Sequence, residues 1–372
     1  MEKLKFCAPC LFGTEGIVSN ELRFMDIESV TAETGKVYFE GDFNTLAKSL
    51  IRLRCGERVH IVLGEFTALT FTELFDNVYK LPFEEFIMKD EAFPVKGACL
   101  DSQLMSTVDC QKIIKKAVAK RLGEKYNTEW LSETGAVHQI QFHIHKDKVS
   151  IFLDTCGEGL HKRGYRKEAN EAPISETLAS VMCDLMRVRQ NHFVADPMCG
   201  SGTILIEAAL KALNIAPGIK RKFTVEDWAC MDNKIFTLAR EEAKSLERPD
   251  ADFFAVGSDI DTAALTVARH NAYRAGVADR IEFTLKDLRD FLPSRERGTV
   301  ITNPPYGERL LSVKEAEVLY KIMGERFERK PSWSYGIITP DDDFEKCFGR
   351  RADKRRKLYN GMLKCQMYMY FK

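Results

Sequence analysis

The sequence predicts an α/β protein built from two unlike regions. From Ile174 onward, short apolar runs alternate with helical patterns, which is typical of a mostly parallel sheet joined by crossover helices. Before residue 155, strands and helices follow one another in an α+β order. With 372 residues, the chain is long enough for two or three domains.

The first unit is predicted to have the order β-α-β-β-α, which is half of a ferredoxin-like layer. Apolar residues at helical spacing, among them Ile17, Val18 and Leu22, define its first helix. The predicted elements are a strand near Leu4–Cys7, a helix over Glu15–Met25, strands at Ile27–Thr31 and Lys36–Phe39, and a helix over Phe43–Leu53.

The second unit contains an amphipathic helix from Asp109 to Leu122, with Asp109 as the predicted N-cap and Gly123 as its end. Its polar face is basic, which is typical either of a solvated face or of one that contacts phosphate. The basic residues are Lys112, Lys115, Lys116, Lys120 and Arg121. The other predicted elements are strand Arg58–Leu63, helices Phe71–Lys80 and Phe83–Met88, strand Phe93–Cys99, and strands His138–His145 and Lys148–Asp154 around a tight turn.

A stretch rich in glycine and charge, Gly157–Ala172, is the predicted boundary between the two regions. The alternating elements after it are helix Glu176–Val188, strand Phe193–Ala195, helix Gly202–Ala212, strand Phe253–Val256, helix Thr262–Ala275, strands Ile281–Leu285 and Val300–Thr302, helix Lys314–Phe327, and strands Trp333–Ile338, Lys357–Tyr359 and Lys364–Phe371.

Composition excludes several classes of protein. Lys plus Arg and Asp plus Glu both number 55, so a histone-like polycation and an acidic disordered chain are excluded, while nucleic-acid binding is not. No apolar stretch approaches the roughly 20 residues that span a bilayer, and the first residues lack the apolar core of a signal peptide. We therefore expect a cytoplasmic protein that does not contact membranes.

The eleven cysteines are scattered, and most are predicted to be buried thiols. Cys7 and Cys10 form a C-x-x-C pair, which could be redox-active or bind zinc. Since no second pair stands at the spacing of zinc ligands, structural thiols and no metal are expected.

Four short motifs follow predicted strands of the second region, and the first is Asp196-Pro-Met-Cys-Gly-Ser-Gly-Thr203. Its glycines, Gly200 and Gly202, permit positive φ and close approach of a ligand to the backbone. The motif lacks both the third glycine of a dinucleotide fingerprint and the G-K-[ST] of a phosphate loop. It therefore predicts a ligand other than a nucleoside triphosphate.

The second and third motifs place acidic residues at strand ends. Asp259 is suited to accept hydrogen bonds from ribose hydroxyls, whereas Asp261 is a candidate N-cap of the following helix. Asp287 ends the next strand. Taken alone, each of these residues could equally be a cap or turn residue.

The fourth motif, Asn303-Pro-Pro-Tyr306 followed by Gly307, comes directly after a strand. Two prolines stiffen the chain where it leaves the sheet, at the edge where ligands of such sheets bind. The Asn303 amide oxygen and the Pro304 carbonyl are acceptors that suit both hydrogens of a planar exocyclic amine, and Tyr306 offers a face for stacking. A rigid turn without chemistry is the alternative.

Together the four motifs resemble those of class I S-adenosylmethionine-dependent methyltransferases that act on amino groups of nucleobases. The segments Leu160–Arg166 and Ala172–Ala179 are similar to those of the bacterial 23S ribosomal RNA guanine-N2 methyltransferase family. The resemblance covers nearly the whole chain. It implies a ferredoxin-like domain over 1–55, a THUMP RNA-binding domain over 56–156, a linker over 157–175, and a Rossmann-like methyltransferase domain with a mostly parallel seven-stranded sheet over 176–372.

The resemblance also implies roles for individual residues. Asn303, Pro304, Pro305 and Tyr306 would present the target base. The S-adenosylmethionine site would comprise Asp196, Pro197, Met198, Cys199, Gly200, Ser201, Gly202, Thr203, Asp259, Ile260, Asp287, Leu288 and Asn303. Candidate RNA contacts are Lys115, Lys116, Lys162, Arg163, Arg166 and the basic run Arg350–Lys357.

The expected activity is methyl transfer to the exocyclic N2 of a guanine in ribosomal RNA, without a metal or a covalent intermediate. Three alternatives remain at this point. They are a transfer RNA guanine-N2 methyltransferase, an adenine-N6 DNA methyltransferase, and a non-catalytic RNA-binding assembly factor.

Overall fold

The computed structural model describes residues 3–166, 174–293, 295–306, 313–327 and 332–371. Gly307 of the fourth motif and Ala172 of the preceding segment lie outside these ranges. The described chain contains two seven-stranded sheets, so the predicted α/β class is confirmed.

The first sheet belongs to the N-terminal region and has the order β2-β3-β1-β4-β7-β6-β5. Its strands are β1 (Leu4–Pro9), β2 (Thr31–Glu33), β3 (Lys36–Gly41), β4 (His60–Thr67), β5 (Val95–Leu100), β6 (Ile140–His145) and β7 (Lys148–Asp154). Its helices are α1 (Glu15–Arg23), α2 (Phe43–Arg52), α3 (Phe71–Tyr79) and α4 (Thr107–Tyr126).

The two N-terminal units expected from the sequence, residues 1–55 and 56–156, share this sheet instead of forming separate layers. Strands β1 and β4 pair antiparallel, with Phe6 opposite Ile61 and Cys7 opposite His60. The alternation of apolar and polar residues along a strand shows which face of that strand is buried, but not which other strand pairs with it. The sequence alone therefore could not show that β1 pairs with β4.

Three predictions in this region are wrong. The helix expected at Phe83–Met88 is only a short 3-10 helix over Phe83–Glu85. The strand expected at Ile27–Thr31 begins only at Thr31, because the chain after α1 turns through Asp26 and Ser29 at positive φ. Helix α4 begins after Ser106, whose hydroxyl accepts from the Asp109 N–H, and runs through Gly123 to a left-handed Asn127. A mid-helix glycine resembles a helix end in sequence, but here Asn127 supplies the positive φ that ends the helix.

The second sheet has the order β10-β9-β8-β11-β12-β14-β13, with its first five strands parallel and the last two antiparallel. The strands are β8 (Phe193–Asp196), β9 (Phe254–Asp259), β10 (Ile281–Leu285), β11 (Gly298–Thr302), β12 (Trp333–Thr339), β13 (Lys354–Asn360) and β14 (Leu363–Tyr370). This is the mostly parallel sheet expected from the sequence.

Helices cover both faces of this sheet. The helices are α5 (Glu176–Leu185), α6 (Thr203–Ala212), α7 (Asn233–Ser245), α8 (Thr262–Ala275), α9 (Val313–Arg326) and α10 (Phe344–Phe348). Val194 and Ile301 face the core shared with α5–α8, whereas Ala195 and Val300 face the core shared with α9 and α10.

Helices α7 and α10 were not predicted. Helix α7 buries only Phe236, Ala239 and Ala243, and α10 has five residues.

The two regions pack closely through α2, α7 and a buried polar network. The Gly218 N–H donates to the Ile51 carbonyl, and the Arg54 guanidinium donates to the Ile215 carbonyl. Glu207, which is fully buried, accepts from Tyr165 and lies 3.6 Å from Arg163. The segment 157–166 is therefore part of the packed structure.

The structure also bears on two expectations from composition, the burial of the cysteines and the absence of a membrane-spanning segment. Most cysteines are buried, as predicted, and burial raises the pKa of both Cys7 and Cys10 to about 12. In the part of the chain that the structure describes, no helix is long and apolar enough to cross a membrane.

Candidate cofactor and target-base site

A cavity of about 940 Å³ lies at the carboxyl ends of β8, β9, β10 and β11. We call it the carboxyl-edge cavity. Parallel strands of this kind place their binding crevice at this edge, where the strand order reverses beside β8. The lining includes every residue predicted for the cofactor except Gly202, namely Asp196, Pro197, Met198, Cys199, Gly200, Ser201, Thr203, Asp259, Ile260, Asp287, Leu288 and Asn303.

Asp259 joins the first and second motifs. One carboxylate oxygen accepts from the Gly200 N–H at 2.9 Å, and the other accepts from the Asp261 N–H at 3.1 Å. Asp261 itself caps α8 through the Ala263 N–H. A carboxylate has about four acceptor positions, so Asp259 can still accept from ligand hydroxyls at the cavity wall.

Asp196 joins the first and fourth motifs. Its carboxyl accepts from the Thr302 hydroxyl at 2.7 Å and from the Met198 N–H at 3.2 Å. Burial raises the pKa of Asp196 to about 7, and the Thr302 hydrogen bond opposes that rise. Since Thr302 directly precedes Asn303, this bond fixes the end of β11 against the glycine turn.

Asn303 carries the least satisfied polar atom of the site. Its Oδ1 is buried and has no hydrogen-bond partner in the described structure, although Asn303 lines the cavity. A buried acceptor without a partner carries a desolvation cost of about 1–3 kcal/mol. Such an atom at a cavity wall indicates a position where a ligand donor binds.

The Tyr306 hydroxyl contacts residues of β13 and β14. Its hydroxyl accepts from the Asn360 amide at 2.9 Å and lies 4.0 Å from the Cys365 sulfur. Burial raises the pKa of Tyr306 well above its ordinary value. Neither Tyr306 nor Pro304 lines the cavity, whereas Pro305 does.

Two predicted cofactor residues have additional or different roles. Gly202 caps α6 at φ +78°, and an added Cβ would lie 3.1 Å from both Ala268 and the Phe283 ring. It therefore permits close packing of the helix and does not line the cavity. Asp287 lines the cavity but also accepts from the backbone and guanidinium of Arg289, which makes it a turn cap as well.

Sequence reasoning missed the wall that α9 supplies. Helix α9 contributes Lys314, Glu315, Val318, Leu319 and Ile322 to the lining. Their spacing of three and four residues would have identified one helical face, but only the fold shows that this face meets the cavity. Ile174, Ile204, Asp261, Ala264 and Arg289 complete the lining beyond the predicted set.

The predicted RNA contacts divide into internal and exposed groups. Arg163 is 5% exposed, and its guanidinium donates to the carbonyls of Leu160 and Arg54. Arg166 donates to the Ile174 carbonyl and the Thr203 hydroxyl, both at 2.7 Å. Both guanidiniums donate hydrogen bonds within the protein, and the phosphate contacts of Arg163 and Arg166 stay predictions that these hydrogen bonds do not support.

The lysines predicted to contact RNA also divide into one that donates hydrogen bonds within the protein and others that are exposed. The Lys115 ammonium donates to the Phe93 carbonyl and to Glu133, so it is engaged within the N-terminal region and its prediction as an RNA contact is not supported. Lys116 and Lys162 are exposed. In the basic run, Arg355 pairs with Glu345, while Lys354 and Lys357 are exposed in β13.

The carboxyl-edge cavity fits S-adenosylmethionine better than it fits a metal. At Gly200, with φ +50°, the space beside Cα is open for a ligand, and Ile260 is an apolar residue with 72% of its surface exposed at the cavity. Asp259 can accept from ribose hydroxyls, and Leu288 offers a second apolar surface. Among the described residues, no group of three or more His, Cys, Asp or Glu side chains could hold a metal ion.

A seven-stranded sheet of this order, with this cavity at its carboxyl edge, defines a class I S-adenosylmethionine-dependent methyltransferase. The chain belongs to the RMKL-like methyltransferase domain family, whose model matches residues 163–369. Models of the RlmL ferredoxin-like domain and of the THUMP domain match residues 5–60 and 68–154.

Individual relatives agree with this assignment. The chain is 40% identical to the candidate RNA methyltransferase YpsC of Bacillus subtilis, over all of this chain and 97% of that protein. It is 33% identical to the ribosomal RNA large subunit methyltransferase K/L of Psychromonas ingrahamii, over 99% of this chain and 50% of that protein. The chain thus spans about half the length of the K/L relatives.

Solved structures share the fold across the whole chain. A crystal structure from Listeria monocytogenes, described as a predicted N6-adenine-specific DNA methylase, is 41% identical with a TM-score of 0.94, covering 100% of this chain and 97% of that one. A crystal structure of SMU.472, described as a candidate methyltransferase complexed with SAH, is 39% identical with a TM-score of 0.94, covering 100% of this chain and 98% of that one.

Proposed function

We propose that the protein transfers the methyl group of S-adenosylmethionine to the exocyclic N2 of a guanine in RNA, with 23S ribosomal RNA as the substrate. The observation that carries this proposal is the buried, unpartnered Oδ1 of Asn303 at the wall of the carboxyl-edge cavity. An exocyclic amine is a donor that satisfies this atom.

The proposed chemistry depends mainly on position. S-adenosylmethionine supplies an activated methyl group, so the protein must hold the amine nitrogen in line with it. The lone pair of an aromatic amine is delocalised into the ring. A hydrogen bond from an N–H group of the amine to the Asn303 Oδ1 favours the nucleophilic form of the nitrogen, whereas the Pro304 carbonyl, the second acceptor expected from the sequence, does not line the cavity. The Thr302–Asp196 hydrogen bond keeps Asn303 at the edge of the sheet.

The choice of RNA as substrate has separate support. A THUMP model matches the N-terminal region, and similar chains are named as methyltransferases of RNA or of ribosomal RNA. Exposed Lys116 and Lys162 remain the proposed phosphate contacts of the sequence-predicted set. The target base must leave its helix or be unpaired to enter the cavity. We propose a cytoplasmic location, where ribosomal RNA is found.

Asn303→Ala tests the proposal. We expect transfer of labelled methyl from S-adenosylmethionine to total RNA to fall about 100-fold or more, since an interaction made in the transition state is lost. Binding of S-adenosylhomocysteine, measured by calorimetry, should change little. Asn44→Ala is the control, because it removes an exposed amide near the start of α2 and should leave transfer intact.

The outcomes separate the alternatives. Mass spectrometry of nucleosides from methylated RNA should detect N2-methylguanosine, whereas N6-methyladenosine would overturn the choice of guanine. Full transfer by Asn303→Ala would remove Asn303 from the mechanism. A wild-type protein that binds S-adenosylhomocysteine and RNA but methylates no RNA would support the assembly-factor alternative. Modification of transfer RNA alone would exclude ribosomal RNA.

A further inference from the structure

A second cavity lies at the opposite edge of the methyltransferase sheet. It has a volume of about 490 Å³ and is lined by the amino ends of β8, β11, β12 and β13. The cationic side chains around it are Arg187, Arg189, Arg297 and Lys354. None of the described residues that line it is acidic.

Two buried hydroxyl side chains also line this cavity. Thr299 and Ser334 stand opposite each other on β11 and β12, and they are 6% and 9% exposed. Since both residues line the cavity, their hydroxyl groups are available to a ligand that enters it. A ligand with acceptor atoms can bind these hydroxyls and the guanidiniums beside them.

A third cavity, of about 790 Å³, continues this surface toward the N-terminal region. It shares Arg189 and Asn191 with the second cavity and extends along α1, α6 and α7. Arg54 lines it and is 8% exposed, and its Nη1 is buried without a hydrogen-bond partner. We call the two joined cavities the amino-edge groove.

Charge in the amino-edge groove is strongly biased. Eight different Lys and Arg residues line it, against two acidic ones, Glu21 and Asp184. Asp184 is paired with Lys211 at 2.6 Å. In the complete chain, basic and acidic residues are equal in number. The imbalance therefore reflects local arrangement, and it favours an anionic ligand.

The groove is separate from the carboxyl-edge cavity. Strand β11 has Thr299 in the groove and is followed by Asn303 in the carboxyl-edge cavity, about 13 Å further along an extended chain. A ligand of the groove therefore cannot be the nucleotide that is methylated.

We propose that the amino-edge groove binds phosphate groups of the RNA backbone at a distance from the modified nucleotide. Phosphodiester oxygens accept from guanidinium N–H groups and hydroxyls, and a chain of them matches a groove that continues across two cavities. This inference rests on RNA being the substrate. It also assigns a role to Lys354, a member of the basic run in β13 that the proposed function leaves without one.

Binding of a short oligouridylate tests the proposal, because uracil has no exocyclic amine to occupy the methylation site. Affinity should be measured over a range of salt concentrations for wild type, Arg297→Glu and Thr299→Val. We expect Arg297→Glu to weaken binding several-fold and to reduce the salt slope by about 1. Thr299→Val, which keeps the side-chain shape, should weaken binding with a smaller change in slope.

Lys234→Glu is the matched control. Lys234 is exposed near the start of α7, about 14 Å along that helix from Ala243 in the groove, and the charge change is the same. Affinity for S-adenosylhomocysteine should be unchanged in all three variants, which verifies that they fold.

Equal effects of Arg297→Glu and Lys234→Glu would overturn the proposal. Binding of inorganic tripolyphosphate should be measured as a second experiment. If Arg297→Glu abolishes tripolyphosphate binding but leaves oligouridylate binding unchanged, the groove binds a small anion and not RNA. Normal oligouridylate binding by the groove variants, together with guanine methylation by wild type, would reject the groove alone. Absence of RNA binding by the wild-type protein would reject both proposals.

Discussion

At the scale of single residues, the two glycines of the first motif, Gly200 and Gly202, have different physical roles. Gly200 and Gly202 both have positive φ, which disfavours any other residue. Beside Gly200 the space is open and belongs to the carboxyl-edge cavity, whereas Gly202 is packed against α8 and β10. Gly200 therefore leaves space for a ligand, whereas Gly202 permits close packing of α6 against α8 and β10.

Alanine substitutions should separate these two roles. Both should lose about 1 kcal/mol of stability from the left-handed backbone. Gly202→Ala should lose more, since its Cβ would press on Ala268 and Phe283 at 3.1 Å. Gly200→Ala should instead weaken S-adenosylhomocysteine binding by about tenfold, because its methyl group enters the cavity.

Denaturant unfolding and calorimetry on both variants measure these effects. If Gly200→Ala binds the ligand as wild type does, the open space beside Gly200 is not part of the cofactor site.

At the scale of secondary-structure elements, α4 shows why a glycine in sequence is an ambiguous signal. Gly123 lies inside the helix, where glycine ordinarily lowers stability by about 1 kcal/mol relative to alanine. Here, however, an added Cβ would lie 2.9 Å from the Thr128 carbonyl oxygen, which belongs to the chain that folds back after Asn127. That oxygen is backbone and cannot move aside easily.

We therefore expect Gly123→Ala to lower the free energy of unfolding, against the usual helix propensity. Gly16→Ala in α1 is the matched control, because nothing lies within 4 Å of its added Cβ. This variant should raise stability by up to about 1 kcal/mol. Denaturant midpoints of the two variants measure the opposite signs. Stabilisation by Gly123→Ala would contradict the close approach of the Thr128 carbonyl.

At the scale of the whole molecule, the joint between β1 and β4 makes the two N-terminal units one sheet. His60 lies in this joint, opposite Cys7 and Asp154. Burial lowers the pKa of His60 to about 4, while Asp154, whose carboxylate is 3.8 Å from Nδ1, opposes the shift. The folded joint therefore favours neutral histidine, whereas the unfolded chain takes up a proton below about pH 6.5.

This difference predicts a pH dependence. Between the two pKa values the unfolded state binds more protons, so His60 lowers stability as the pH falls from about 6.5 to 4. Other carboxyl groups with shifted pKa values contribute as well, so the wild type must be compared with His60→Gln. From about pH 7 to pH 5, the wild type should lose about 2 kcal/mol more of its unfolding free energy than the variant.

Denaturant unfolding at the two pH values measures this difference. Parallel pH profiles of wild type and His60→Gln would show that His60 titrates normally in the folded protein.

By itself, the sequence determined the strands of the second region, its helices other than α7 and α10, and most of the candidate site. Strands with buried residues on both faces, such as β8 and β12, appear as short apolar runs, and glycine, proline and acidic residues after them mark the carboxyl edge. Parallel strands bring their ends together, so Asp196, Asp259 and Asn303 could be grouped from their positions after separate strands.

Only the tertiary structure decided which groups are free to bind. Arg163 and Arg166 look like surface cations in sequence but are engaged by Glu207, Thr203 and backbone carbonyls from distant segments. Exposure and hydrogen-bond partners depend on contacts between residues far apart in the chain. For the same reason, the shared N-terminal sheet, the α9 wall of the carboxyl-edge cavity and the amino-edge groove emerge only when the strands are paired.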